Sequence, residues 1–163
     1  EGWPLVRTSL GHERSAGAME QAASYRRVLS ELVALARARG LTADPAVRDR
    51  LADFEIRVRL MRYNAEQTIA SILTRGEPGP GSSVSRLMIT LFEQDLHEFA
   101  VDMLGPDGII TKPSEQAVQR GRWLAGFLST RASTIGAGTA EIQRNTIAER
   151  VLGLPYDPAM PPR

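Results

Sequence analysis

Hydrophobic side chains recur along this chain at alternating spacings of three and four residues, the repeat that places them on one face of an α-helix. The clearest run follows Asp44 and Pro45, an N-cap residue with a proline just inside the helix. Its members are Leu51, Phe54, Val58, Met61, Ala65, Thr68 and Ile72. The pattern predicts a long second helix that ends near Arg75, and we expect its Leu51, Phe54 and Val58 face to be buried.

The remaining faces of this second helix are rich in charge. They carry Arg48, Arg50, Glu55, Arg57, Arg59, Arg62 and Glu66. Such a run could form a polyanion site, but it is more often a face that points into solvent. We interpret it as the solvated face of the helix.

Two further long helices are predicted on either side. The stretch from Trp3 to Arg39 has the composition of one helix, and Gly40 follows it as a natural stop. A linker of glycine and proline at 76–81 then precedes a third helix, which Ser82 or Ser83 can cap. Its expected buried stripe consists of Val84, Leu87, Met88, Leu91, Phe99 and Met103.

The last third of the chain predicts two shorter helices. A fourth helix is expected from Ser114 to Arg131, although Gly121 and Gly126 lie inside it, where glycine either allows close helix contact or marks a weak point. Its expected core positions are Trp123, Leu124, Phe127 and Leu128. A glycine-rich turn at 135–139 separates it from a fifth helix, which should run from Ala140 to Leu152.

No segment alternates with the period of two that marks a β-strand. We therefore expect an all-α fold, an up-and-down helical bundle of three long helices plus a shorter C-terminal helix pair. The turn residues at 105–108 should close the third helix. One helical domain should cover residues 1–153, and the prolines beyond it predict an irregular proline-rich tail over 154–163.

Composition narrows the possible partners. A formal net charge of +1 over 163 residues produces no field that would attract nucleic acid. Cysteine is absent, which excludes disulfides and thiolate metal sites. No run approaches the roughly 20 apolar residues that span a bilayer, and the first residues lack a signal-peptide pattern. We expect a cytoplasmic protein without membrane insertion.

Two places could carry chemistry. The glycine-flanked turn before Thr139 leads into a helix start, where free N–H groups suit a phosphate or carbonyl oxygen, although an ordinary capped turn has the same residues. Glu13 lies between His12 and Arg14 in a stretch of small residues, so it could be a sheltered base or one member of a surface salt bridge. A carboxylate metal site is disfavoured, since the only histidines are His12 and His97.

One long motif carries a family resemblance. Residues 129–155, STRASTIGAGTAEIQRNTIAERVLGLP, closely resemble the C-terminal signature of acyl-CoA dehydrogenases. Residues 10–14, LGHER, are similar to that family's entry into its first C-terminal helix, and residues 102–108, DMLGPDG, to its glycine-rich corner. The resemblance covers nearly the whole chain and keeps the order of the motifs.

The resemblance implies a role in a larger enzyme. A complete subunit of the family has a helical domain, a β-domain and this bundle, with FAD between the β-domain and the bundles of neighbouring subunits. We therefore expect an excised domain that is inactive alone. The family removes hydrogen from the α and β carbons of an acyl-CoA and passes electrons to electron-transfer flavoprotein or another acceptor. Its bundle would form a homo- or hetero-oligomer, either a dimer or a tetramer.

The resemblance also implies roles for single residues. Many members carry the catalytic base just before the Gly-Thr of the last turn, where this chain has Ala137, and others carry it on the first helix, where this chain has Glu13. Glu13 is thus the predicted general base. The predicted substrate-binding residues are Arg14, Gly136, Ala137 and Gly138, and the predicted FAD-binding residues are Met103, Gly105, Thr139 and Glu141.

Two departures from the family pattern leave a second reading open. Ala137 cannot accept a proton, and the usual Arg-x-x-Phe-Gly after the first helix is replaced by Arg37-Ala38-Arg39-Gly40, where Arg39 could take over the contact to flavin phosphate. The chain is therefore either the C-terminal domain of an active dehydrogenase or that of a non-catalytic partner subunit in a hetero-oligomer.

Overall fold

A computed structural model describes residues 17–76, 81–136 and 138–155. In this part of the chain every regular element is a helix, as the sequence predicts. The five α-helices are α1 (Ala18–Ala38), α2 (Pro45–Arg75), α3 (Gly81–Leu104), α4 (Arg122–Ser129) and α5 (Ala140–Arg150). Short 3₁₀ helices at Leu41–Ala43, Gly105–Ile109, Val118–Gly121 and Thr130–Ala132 join them.

The second helix begins where the sequence places it. The Asp44 side chain accepts a hydrogen bond from the Ala46 N–H at 2.8 Å, and Pro45 occupies the first helical turn. At the other end, Gly76 adopts a left-handed conformation with φ +76° and stops α2. Local capping residues therefore define both ends of the longest helix.

Side-chain pairs establish the direction of the three long helices. Arg26 of α1 pairs with Glu55 of α2, and Arg57 of α2 pairs with Asp95 of α3 at 2.5 Å. Asn64 of α2 bonds to Ser85 of α3, so α2 and α3 run in opposite directions. By contrast Tyr25 meets Glu93 and Arg39 meets Asp107, which gives α1 and α3 the same direction. The result is the predicted up-and-down arrangement.

The core lies between these helices and is dominated by aromatic rings. Phe54 and Phe92 are fully buried and meet edge to face at 5.7 Å, and Tyr25 and Phe99 extend the cluster. The predicted inner face of α2 is confirmed at Leu51, Phe54, Val58, Met61, Ala65 and Thr68. Ile72, near the end of the run, is instead 39% exposed.

The predicted buried stripe of α3 is confirmed only in part: Met88, Phe99 and Met103 are half-buried against the core, and Leu91 is wrong. Leu91 is 36% exposed, whereas the residues that face the bundle are Ser82, Ser83, Ser85, Ile89, Thr90, Phe92, Leu96, Ala100 and Leu104. Small polar side chains let the start of α3 pack closely against its neighbours, so the buried face is less hydrophobic there than the half-exposed one. Because α3 begins at Gly81, Ser82 and Ser83 lie inside the helix and do not cap it.

The fourth helix is shorter than predicted. Gln119 and Arg120 have positive φ, and Gly121 precedes α4 with φ +76°, so residues 114–121 do not form a continuous helix. Within α4, Trp123 is buried but Leu128 is 62% exposed. Gly126 makes a close helix contact, because a Cβ at this position would lie 2.0 Å from His97 Cδ2.

Candidate functional site

The glycine-rich turn before α5 is held at its exit by the cap of that helix. Thr139 is the N-cap residue, and its hydroxyl accepts a hydrogen bond from the Ile142 N–H at 3.3 Å. The N–H of Ala140 donates to the Thr134 carbonyl at 3.2 Å, which ties the start of α5 to the segment before the turn. The two sides of the turn are therefore joined by the backbone itself.

Gly138 shows why this turn needs glycine. Its φ is +96°, a conformation that L side chains rarely adopt. A Cβ on Gly138 would also lie 2.8 Å from the Gln143 side-chain amide nitrogen. The Gln143 side chain therefore packs against the backbone of Gly138, in the space that a side chain at this position would need.

Glu141 lies in the first turn of α5 with its side chain 76% exposed. Its own backbone N–H and the Thr139 hydroxyl donate hydrogen bonds to the carboxylate, and these lower the pKa of Glu141 below its usual value. Arg144 lies 3.4 Å from the same carboxylate. Glu141 is thus an ionised acceptor at the surface, and the Thr139 hydroxyl is already engaged within the cap.

The entrance of the turn is held by a row of α3 side chains that the sequence analysis missed. Arg86 donates from Nη2 to the carbonyls of Ser133 and Gly136, each at 2.9 Å. Gln94 donates to the Thr130 carbonyl at 3.0 Å and to the Thr134 hydroxyl at 3.1 Å. We call Arg86 and Gln94, together with backbone residues 130–136, the polar seam.

A signal for this seam is present in the sequence. Arg86, Thr90 and Gln94 recur every four residues and so share one face of α3. Polar residues in line on one helix face indicate a partner that forms hydrogen bonds, and Thr90 bonds instead to carbonyls of α3 itself. The bonds of Arg86 and Gln94 cross 36 to 50 positions of the chain, however, so spacing alone does not identify their partner.

The second candidate region is the corner that follows α3. Met103 is half-buried against the core, and Gly105 has φ +57° and open space around it, since a Cβ added there would meet no other atom within 4 Å. Asp107 in the same corner pairs with Arg39 at 2.6 Å. The structure therefore brings Arg39, the candidate for a phosphate contact, to the corner and not to the glycine turn.

The predicted substrate-binding and cofactor-binding residues that the structure describes thus form two separate groups. Gly136, Gly138, Thr139 and Glu141 belong to the glycine turn, which Arg86 attaches near the start of α3. Met103 and Gly105 lie at the other end of α3. With a rise of 1.5 Å per helical residue, the 17 positions from Arg86 to Met103 correspond to about 25 Å.

Three of the predicted site residues cannot be compared with the structure. Glu13, Arg14 and Ala137 lie outside the described residues, and so the base assignment stays a prediction. Among the residues that are described, no group of three or more potential ligands could hold a metal ion. No described helix is long and apolar enough to cross a membrane.

Four arginines of α2, Arg50, Arg57, Arg59 and Arg62, form ion pairs with acids. Arg50 and Arg57 both reach Asp95 of α3 and lie over the Phe54 ring, at 4.9 and 5.6 Å from its centroid. Arg59 pairs with Glu55, and Arg62 with Glu66. A groove of about 470 Å³ between α1 and α2 is bordered by Arg26, Arg59 and Arg62, yet each of these arginines also has a carboxylate partner.

Comparison with known families decides the identity of the domain. Residues 1–152 match the family model described as acyl-CoA dehydrogenase, C-terminal domain. The chain belongs to this family. It is also 39% identical over 157 residues to acyl-CoA dehydrogenase IpdE1 of Mycobacterium tuberculosis, and this match covers 96% of the chain but 39% of that relative. The chain therefore spans about two fifths of the length of such an enzyme.

Solved structures of acyl-CoA dehydrogenases share the fold. The Tcur3481-Tcur3483 steroid ACAD matches with a TM-score of 0.84 and 27% identity over 96% of this chain and 40% of that one. The ChsE4-ChsE5 complex from Mycobacterium tuberculosis matches with a TM-score of 0.79 and 25% identity, over 96% and 41% of the two chains. Acyl-CoA dehydrogenases are generally flavin-dependent, and both of these structures contain two differently named chains.

Proposed function

We propose that this chain is the C-terminal domain of a flavin-dependent enzyme that introduces an α,β double bond into an acyl-CoA thioester. The family match over residues 1–152 is the observation that carries the proposal. In the complete enzyme the Glu13 carboxylate removes the proton from the α carbon of the substrate. FAD, when bound, supplies the acceptor for the hydride from the β carbon, so that both hydrogens leave and one C=C bond forms.

The described residues support a flavin site divided between subunits. At the glycine turn, Gly138 has the positive φ that glycine allows, and the exposed Glu141 carboxylate at the start of α5 can accept hydrogen bonds from a ligand. At the far end of α3, Gly105 is exposed and Arg39 keeps guanidinium donors beyond the one that Asp107 accepts. Because about 25 Å of α3 separates Arg86, which holds the glycine turn, from Met103 at the corner, the two regions would contact different flavins in an oligomer.

A second candidate function is that of a partner subunit without its own base. Ala137 occupies the position where many members carry the base, and the matching solved structures combine unlike chains. In this case the bundle would complete a hetero-oligomer and support the flavin site of its neighbour. The two candidates differ in one testable respect, which is whether Glu13 takes the α proton.

The deciding experiment uses the full-length protein, produced together with a paralogue encoded beside it. Wild type and Glu13→Gln are mixed anaerobically with acyl-CoA substrates, and bleaching of the flavin absorbance is followed. We expect Glu13→Gln to slow bleaching by about 10²-fold or more, since a positioned base contributes roughly 10² to 10⁴ in rate. Glu20→Gln is the matched control, because Glu20 is an exposed acid on α1.

The substrate panel should contain straight-chain and steroid-derived acyl-CoA thioesters, since one matching structure is named a steroid ACAD. Bleaching that is equal in wild type and Glu13→Gln would exclude Glu13 as the base and favour the partner-subunit function. A final acceptor such as electron-transfer flavoprotein, and a cytoplasmic location, stay predictions.

A further inference from the structure

Arg86 is the one side chain of α3 that reaches both the start of the glycine turn and the segment before it. Its Nη2 donates to the Ser133 carbonyl and to the Gly136 carbonyl, both at 2.9 Å. Ser133 ends a 3₁₀ helix, and Gly136 opens the turn. A single guanidinium thereby attaches two points of the chain, three residues apart, to a long helix.

The environment of Arg86 distinguishes this contact from a hydrogen bond at the exposed surface. Arg86 is half-buried, and its Nε atom is enclosed without a hydrogen-bond partner. Within the described residues Arg86 forms no ion pair, so two backbone carbonyls provide its hydrogen bonds in place of a carboxylate. Partial burial of a cation costs free energy that these bonds offset, and the planar guanidinium loses little freedom in forming them.

The bonds of Arg86 complement those on the far side of the turn. The Thr139 hydroxyl and the bond from the Ala140 N–H to the Thr134 carbonyl fix the exit to α5, but neither connects the turn to the rest of the bundle. That connection comes from the packing of α5 against α3 and from the polar seam, in which Arg86 bonds to Gly136. Without Arg86, Gln94 would still hold Thr130 and Thr134, whereas Gly136 would lose its side-chain contact with α3.

We propose that Arg86 is a positioning residue, which fixes the glycine turn relative to α3 and thereby sets where the turn meets flavin and acyl-CoA. The placement of the turn follows from the geometry of the described residues. The catalytic consequence rests on the proposed function. Because a displacement of about 1 Å at a reacting group can cost roughly 10²-fold in rate, loss of this anchor should slow the reaction without abolishing the fold.

The first test measures placement and does not depend on activity. Hydrogen exchange of residues 133–140 is compared in full-length wild type, Arg86→Met and Arg131→Met. Arg131 is a matched control, since it is an exposed arginine of the same region that bonds to Phe127 and Glu98. We expect Arg86→Met to accelerate exchange in this segment about 10-fold or more, with α2 unchanged, and Arg131→Met to leave the segment near wild type.

The second test separates positioning from stability. In the assembled enzyme, Arg86→Met should lower kcat by about 10- to 100-fold while KM changes little, and Arg86→Lys, which keeps the charge and can donate to one carbonyl at a time, should recover part of the loss. If Arg86→Met fails to fold, both measurements are made on Arg86→Lys and Arg86→Gln, because each of these side chains retains hydrogen-bond donors.

The outcomes distinguish this inference from the proposed function. Exchange in 133–140 that is the same in the Arg86 and Arg131 variants would overturn the placement. Accelerated exchange with an unaltered kcat would overturn the catalytic consequence. If the wild type is inactive and Arg86→Met still accelerates exchange in 133–140, the proposed function is refuted. The same result would support the placement of the turn by Arg86.

Discussion

The aromatic core and the polar seam hold the same helix, α3, in different ways. In the core, Phe54 of α2 and Phe92 of α3 are fully buried and meet ring to ring, with the Arg57 guanidinium over both rings. In the seam, Arg86 and Gln94 donate hydrogen bonds to backbone carbonyls of residues 130–136. The core is thus stabilised by close packing of side-chain volume, and the seam by hydrogen bonds of defined geometry. Substitutions in the two regions should therefore have different consequences.

The largest effect is expected in the core. Phe54→Ala should lower the free energy of opening α2 by about 3–5 kcal/mol, because it removes a fully buried ring that touches Phe92 and Phe99. Hydrogen exchange of α2 amides in the full-length protein measures this quantity. The control is Leu60→Ala, since Leu60 is 49% exposed on the same helix. Equal effects of the two substitutions would show that α2 does not depend on the core as described.

A smaller and more local effect is expected in the seam. Gln94→Leu removes the donor to the Thr130 carbonyl and the Thr134 hydroxyl, and should destabilise residues 130–136 by about 1–2 kcal/mol at roughly 1 kcal/mol per hydrogen bond. Exchange in that segment should rise, while exchange in α2 stays constant. Gln67→Leu, at an exposed position of α2, provides the comparison. A general loss of stability after Gln94→Leu would mean that seam and core are not separable.

The smallest effect is expected at the surface. Burial disfavours the charged form of Glu55, but hydrogen bonds from Arg59 and Arg26 outweigh it, so the pKa of Glu55 lies below its ordinary value. Its stabilisation is therefore present above the unfolded pKa of about 4.3 and is lost as the pH falls through the lower folded value. Glu55→Gln should cost less than about 1 kcal/mol at neutral pH.

This last prediction is checked by α2 exchange and thermal unfolding, measured for wild type and Glu55→Gln at neutral pH and near pH 4. The difference between the two proteins should shrink at the lower pH and at high salt. A difference that grows on acidification would contradict the assignment of Glu55 as an ion-paired carboxylate. In that case the contact between α1 and α2 would depend on something other than these charges.

Sequence reasoning succeeded where local residues decide the structure. Asp44 and Pro45 start α2 and Gly76 ends it, and all three act on their immediate neighbours. It failed for α3 at Leu91 and at the start of the helix, because Ser82, Ser83 and Ser85 are buried by close packing and a hydrophobicity pattern does not select them. The fourth helix was predicted too long for a similar reason, since the left-handed backbone at 119–121 is fixed by contacts that the pattern does not contain.

In the candidate site, too, local features could be predicted from the sequence and long-range contacts could not. Glycines mark the turn at Gly138 and the corner at Gly105, because positive φ is a property of the single residue. The link from Arg86 to Gly136 joins positions 50 residues apart and became evident only in three dimensions. Family resemblance supplied the role of Glu13, which neither the pattern nor the described residues test.

The length of α3 has a consequence for how such proteins diverge. Since a rigid helix keeps the corner and the glycine turn apart, no single ring system can touch both on one molecule, and a ligand that needs both must lie where two molecules meet. After gene duplication, one copy can then lose the binding residues at one end of α3. Complete sites still form wherever the other copy supplies that end. The geometry of α3 therefore permits two unlike chains to provide different parts of one binding site.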